Sequence, residues 1–300
     1  MTSQLRSGVS DVREYLYVDT PRVRTLLTQF GAGLPEGRRS ERTRNWTASF
    51  AEVEELGNVE GSNEQEYRSL ADLHVAMLEE DAESLDMLVD VSGISQKKKS
   101  WNLGRLHREL LLGSLIRVTG PTQVIDPSAF AASASAFDKF SEDSSFSQNV
   151  VAITEAMYRG HLALRVFPCG VDEWEYQYCG LIADPGGYLA AERSALFSRL
   201  GADPQEWTVV ASISRIPSRD NVPPSTRFEN AMNSIQSAFQ NGPDSISRRA
   251  LEVMIQEASR AMEGMGLSEA PTWPAIAVTP LAIYRKIQRS NITPDLNNED

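Results

Sequence analysis

Residues 206–217, EWTVVASISRIP, form the most strand-like run in the chain. Branched side chains crowd this segment and favour an extended backbone, and Pro217 stops it by withdrawing a donor. An apolar strand of this kind needs neighbours to take its backbone hydrogen bonds, so the run commits this half of the chain to a sheet. Three partners are at hand. HLALRVFP (161–168) and EYQYCGLIA (175–183) flank Gly170 as a hairpin, and AIAVTPLAIYRKI (275–287) is a last strand, bent or bulged at Pro280. Helices are expected near Val150–Tyr158, over 186–201 with Gly201 as its stop, and near Arg227–Phe239 and Ser245–Met262. The order α-β-β-α-β-α-α-β predicts an α+β sandwich with a mixed or antiparallel sheet for residues 147–290.

The amino-terminal part, residues 1–140, reads differently: mostly helical with short strands. Tyr15–Val18 is a short buried strand. Thr20 can cap a helix with Pro21 at its first position, and Val23, Leu26, Leu27 and Phe30 supply one apolar face before Gly31 ends it. Residues 46–59 read as a strand or hairpin. A long helix follows, with Tyr67, Leu70, His74, Met77, Leu78, Leu85 and Leu88 as its stripe and a possible break near Asp81. Leu103, Leu106 and Leu110 suggest another helix closing at Gly113. Gly120-Pro121 reads as a turn between two short strands. The α+β fold class thus comprises a helical domain (1–140), an α+β domain (147–290) and a disordered tail (291–300).

Composition narrows the functional classes. Three hundred residues, 41% of them apolar, suffice for one large core or two smaller ones. A net charge of −12 opposes broad contact with nucleic acid. No apolar run suits a secretory signal or a membrane span, and two cysteines are too few for a disulfide framework or a zinc knuckle. The expectation is a soluble, cytoplasmic protein with no membrane contact, no metal and no cofactor.

Four separated runs, YVDTPRVRTLLTQFGAGLPEG, GSLIRVTGPTQVID, LFSRLGADPQEWTVVASISRIP and TPLAIYR, together resemble a group of bacterial proteins known only as the domain of unknown function 6414 family. The matching features are the strand end Tyr17–Asp19, the helix closing in Gln29 with its Gly-Leu-Pro loop, and the strand opening at Trp207. Thr25, Thr28 and Ala211 depart from the family pattern and mark a divergent member. The resemblance spans roughly residues 13–287. It implies an architecture, with Tyr17, Asp19, Gln29 and Trp207 in structural roles, and no catalytic residues.

Catalytic and binding constellations are sparse. GAGLPEG follows a helix instead of opening one, so it ends that helix and does not cradle phosphate. His74, His107 and His161 sit in no ligand spacing, Ser212 and Ser214 lack a nucleophile elbow, and Cys169 and Cys179 do not face each other across the hairpin. The least ordinary features are two basic loops. Arg38, Arg39, Arg42 and Arg44 precede Trp46, and Lys97, Lys98 and Lys99 precede Trp101, pairing positive charge with an indole that can stack. The acidic stretch EEDAESLD and the Met-rich RALEVMIQEASRAMEGMG suit protein contacts or core filling. The leading expectation is therefore a non-enzymatic binding or regulatory module, a sensor or scaffold, acting with a protein partner. The alternatives are a nucleotide- or RNA-binding protein using loops 38–44 and 97–99, and an enzyme whose site assembles only in the fold.

Overall fold

The computed structural model describes residues 12–33, 64–127, 161–182, 188–190, 193–201, 203–219 and 271–287. Eight strands are present among them: β1 Arg13–Val18, β2 Leu88–Asp90, β3 Leu115–Ile125, β4 Leu162–Val166, β5 Tyr178–Ile182, β6 Tyr188–Leu189, β7 Gln205–Arg215 and β8 Ile276–Lys286. The helices are α1 Thr20–Gly33, α2 Glu64–Ser84, three short turns (α3 Ser92–Ser95, α4 Lys98–Asn102, α5 Arg105–Glu109) and α6 Arg193–Leu200.

Strand β7 lies at the centre, antiparallel to β3 along one edge and to β8 along the other. On its far edge, β3 pairs first with β2 in parallel and then, from Thr122 onward, with β4 antiparallel. β8 does the same: Ile276 and Ala277 pair with β5 in parallel, and residues from Ala282 onward pair with β1 antiparallel. Because β4 also pairs with β5, the path β3-β4-β5-β8-β7 returns to β3 and closes a five-stranded barrel. The other ends of β3, β7 and β8 continue as an open sheet flanked by β2 and by β1-β6.

Both branching strands carry a proline where they change partner. Pro121 precedes the β4 ladder and its carbonyl accepts the Phe167 N–H at 2.8 Å. Pro280 lies between Ala277, the last residue paired with β5, and Ala282, where pairing with β1 begins beside a bulge. A residue without an N–H costs little where a ladder is interrupted. Gly180 marks the closest approach at this branch: a Cβ there would stand 2.3 Å from the Val278 carbonyl oxygen, so only glycine lets β5 pass β8.

Side chains fill the barrel, as its small strand number requires. Ile116 and Val118 of β3, Leu164 of β4, Tyr178 of β5, Val209 and Ile213 of β7, and Ile276 of β8 form one cluster with Trp101. The opposite face of the open sheet packs Leu115, Val210, Ala282 and Tyr284 against Val23 and Phe30 of α1 and Ala71, Val75 and Leu78 of α2.

The expected fold class is corrected. The amino-terminal half is not a mostly helical body ahead of an α+β sandwich: β1, β2 and β3 hydrogen-bond in the same sheet as β4–β8, and five of these strands close a barrel. Gly120-Pro121 is not a turn. It lies inside the unbroken eleven-residue β3, because turn chemistry and a mid-strand change of partner call for the same residues. Residues 188–189 open no helix; they form β6 beside β1. The boundary near 140–147, the tail, the segment 46–59 and the helices expected at 150–158, 227–239 and 245–262 lie outside the described residues.

Helix α1 runs Thr20–Gly33, two residues past its expected stop. Asp19, not Thr20, caps it: Oδ1 accepts the Arg22 N–H at 3.2 Å. Helix α2 continues through buried Asp81 without a break. His74 on its stripe is 1% exposed, and burial first, then the charge of Arg24, holds its imidazole down at about 4. A left-handed Gly104 divides the expected 103–110 helix, turning Leu106 and Leu110 inward and leaving Leu103 exposed. No helix among the described residues is long and apolar enough to cross a membrane.

Candidate functional site

Where β5 and β1 part along β8, a crevice of about 320 Å³ opens. Tyr17 and Asp19 bound it from the β1–α1 junction, His161 from the start of β4, Cys179 and Gly180 from β5, and Thr279 from β8. Asp19 ties these elements together. Its backbone N–H donates to the Leu281 carbonyl at 2.8 Å and its carbonyl accepts the Val23 N–H at 3.0 Å, joining sheet to helix. Its carboxylate takes the Arg22 N–H on Oδ1 and faces the Arg22 guanidinium at 3.4 Å on Oδ2. The residue is 8% exposed, and burial pushes its carboxyl up against the opposing hydrogen bond and charge of Arg22. The Cys179 thiol is engaged with the Ile276 carbonyl at 3.7 Å. Asp19 thus presents a carboxylate acceptor, Thr279 and Ser214 present hydroxyls that donate or accept, and the Arg22 guanidinium also lines the crevice.

A second polar cavity, of about 350 Å³, lies on the open-sheet face beyond the apolar helix contact. Its guanidinium groups are paired with carboxylates. Glu79 of α2, 3% exposed, meets the guanidinium of Arg13, that of Arg117 at 3.2 Å and the Tyr284 hydroxyl, which donates at 2.7 Å. Arg117 also reaches Glu83 at 2.6 Å and Asp90 at 3.1 Å. Burial opposes both guanidinium charges, yet these carboxylates raise both pKa values. Burial, ahead of its charged neighbours, pushes the Tyr15 hydroxyl up to about 12. This cluster holds β1, β3 and β8 to α2.

The residues expected to bind ligand separate. Arg38, Arg39, Arg42, Arg44 and Trp46 lie outside the described residues. Lys97, Lys98 and Lys99 are exposed, and Lys98 pairs with Glu173. Trp101 does not stack beside them on the surface: it is fully buried in the barrel cluster, its indole N–H donating to the Ser95 carbonyl at 2.7 Å. The indole exposed near these lysines belongs to Trp174, which follows Glu173. His107 packs on Trp273 with ring centroids 3.8 Å apart. Cys169 and Cys179 form no disulfide, and among the described residues no group of three or more His, Cys, Asp or Glu could hold a metal.

Of the four family-motif positions, Tyr17 and Trp207 are buried in the barrel cluster, Gln29 is exposed on α1, and Asp19 lines the crevice. Sequence reasoning named Asp19 but missed the site around it. The available signal was a polar residue closing an apolar strand directly before a helix. A family model described as Domain of unknown function (DUF6414) matches residues 12–284. No curated protein and no solved structure matches the chain.

Proposed function

We propose, for a chain that belongs to the DUF6414 family, that it is a non-enzymatic, cytoplasmic binding module whose crevice takes a small polar ligand and so governs its engagement of a protein partner. One observation carries the reading: buried Asp19 is at once the end of β1, the cap of α1 and a wall of the crevice. A ligand seated there contacts elements from distant parts of the chain, so its binding energy is available to hold them together. The carboxylate, hydroxyls and guanidinium lining the crevice favour a small ligand carrying both hydrogen-bond donors and acceptors. The filled barrel leaves the ligand outside it, at the branch.

Native mass spectrometry of protein purified gently from its own host tests this. The expected result is an added mass matching a small polar molecule, retained by the wild type and reduced about tenfold or more in Asp19→Asn, since a charged hydrogen bond is worth roughly 1.5–3 kcal/mol. Asparagine keeps the helix cap, so the variant isolates the charge. A bare wild-type mass, or equal retention by both proteins, overturns the reading.

Nucleotide or RNA contact through 38–44 and 97–99 is the second reading. It is favoured by the exposed lysines near exposed Trp174 and opposed by Asp172, Glu173 and Glu175, which flank that indole.

A further inference from the structure

We propose that the chain associates with a second copy of itself, as a weak two-fold dimer, through the surface beside the barrel end that Trp101 fills. Two neighbouring segments build this surface. Helix α4 and the residue before it present Lys97, Lys98 and Lys99, and the turn over 171–176 presents Asp172, Glu173 and Glu175. The Lys98–Glu173 ion pair and the Tyr176 hydroxyl, which donates to Asn102 Oδ1 at 3.0 Å, hold the segments side by side. These two segments, with the residue that follows α4, expose three large apolar side chains: Leu103, Val171 and Trp174, the last 67% exposed.

Exposed tryptophan within a charged rim is the composition of an interface hot spot. The arrangement of charge identifies its occupant. Three lysines on one segment and three carboxylates on the other meet at the Lys98–Glu173 pair, so a partner of uniform sign, RNA included, meets repulsion on one segment. A second copy related by a two-fold axis at the seam between the segments, where Lys98 meets Glu173, sets the lysines of each chain against the carboxylates of the other and covers both indoles. The overall charge of −12 repels copies from one another, and a locally balanced patch is where that repulsion is weakest.

Sedimentation equilibrium of the full chain across concentration tests the proposal. At low salt a reversible species of twice the 33.2 kDa chain mass is expected, weakening as salt rises. Trp174→Ala should raise the dimer dissociation constant about tenfold or more. The pairs Lys97→Glu with Lys99→Glu, and Asp172→Lys with Glu175→Lys, should each be monomeric alone and form a mixed dimer when combined. Both pairs leave the Lys98–Glu173 contact intact, and circular dichroism checks the fold of each variant. A monomer at all concentrations, a dimer indifferent to Trp174→Ala, or charge-reversed variants that fail to recombine overturns the proposal. None of these results bears on the crevice, whose ligand is read by mass.

Discussion

Glu79→Ala is expected to lower the unfolding free energy by about 3 kcal/mol or more, read as a fall in the urea midpoint with an unchanged slope. Glu79 is a buried carboxylate against two guanidiniums and a phenol. Its removal leaves those charges poorly compensated, and breaking a buried pair from one side costs more than the pair contributes. The loss falls unevenly. Arg117 keeps Glu83 and Asp90, whereas Arg13 keeps only the face of the Tyr284 ring at 4.3 Å and the Tyr15 hydroxyl at 3.5 Å among its described contacts. Glu79→Gln, which preserves shape and an acceptor for Tyr284, should cost clearly less. Adding Arg13→Met to Glu79→Ala should recover part of the loss, because the orphaned charge is then gone. A Glu79→Ala protein as stable as wild type would mean that these guanidiniums reach solvent freely and that the cluster does not bind α2 to the sheet.

Trp101→Ala should cost about 3–5 kcal/mol, the range for emptying a large aromatic site. The indole is fully buried at the barrel end, near Tyr176 and Tyr178, with ring centroids 6.2 and 5.1 Å away. Its N–H also satisfies the Ser95 carbonyl, whose hydroxyl in turn meets that of Tyr178 at 2.8 Å. Trp101→Phe keeps much of the packing and loses chiefly the hydrogen bond, so about 1 kcal/mol of the deficit should come from that bond alone. Thermal melts of the two variants separate these contributions. Near-equal losses would show that the hydrogen bond, not the volume, secures the barrel end.

Local elements were legible in the sequence and their assembly was not. The apolar spacing of Val23, Leu26, Leu27 and Phe30 gives α1, and the branched run gives β7, because each depends on neighbours within a few residues. The cap lies one position before the expected Thr20. Asp19 and Thr20 are both good caps, and the choice falls to Asp19 because its N–H is already bonded to Leu281 in the sheet. Gly120-Pro121 and Pro280 show the deeper limit: proline at a branch and proline at a turn look alike until the strands on either side are known. The crevice combines residues near 19, 161, 180 and 279, brought together only by pairing across the whole chain, so no spacing rule exposes it. Sequence adjacency groups Trp101 with the lysines beside it, whereas the helix and its N-cap turn the indole into the barrel and leave the lysines exposed.

One sheet is built from both halves of the chain, with the crevice where they meet. The most direct measurement is cooperative unfolding of residues 1–140 and residues 147–300, each produced alone and then mixed. Neither piece should show a cooperative transition by itself, since β3 lacks β4 and β7 in one and β8 lacks β1 in the other. The mixture should regain one. Two pieces that each unfold cooperatively alone, and gain nothing on mixing, would contradict the closed barrel and the site at its branch.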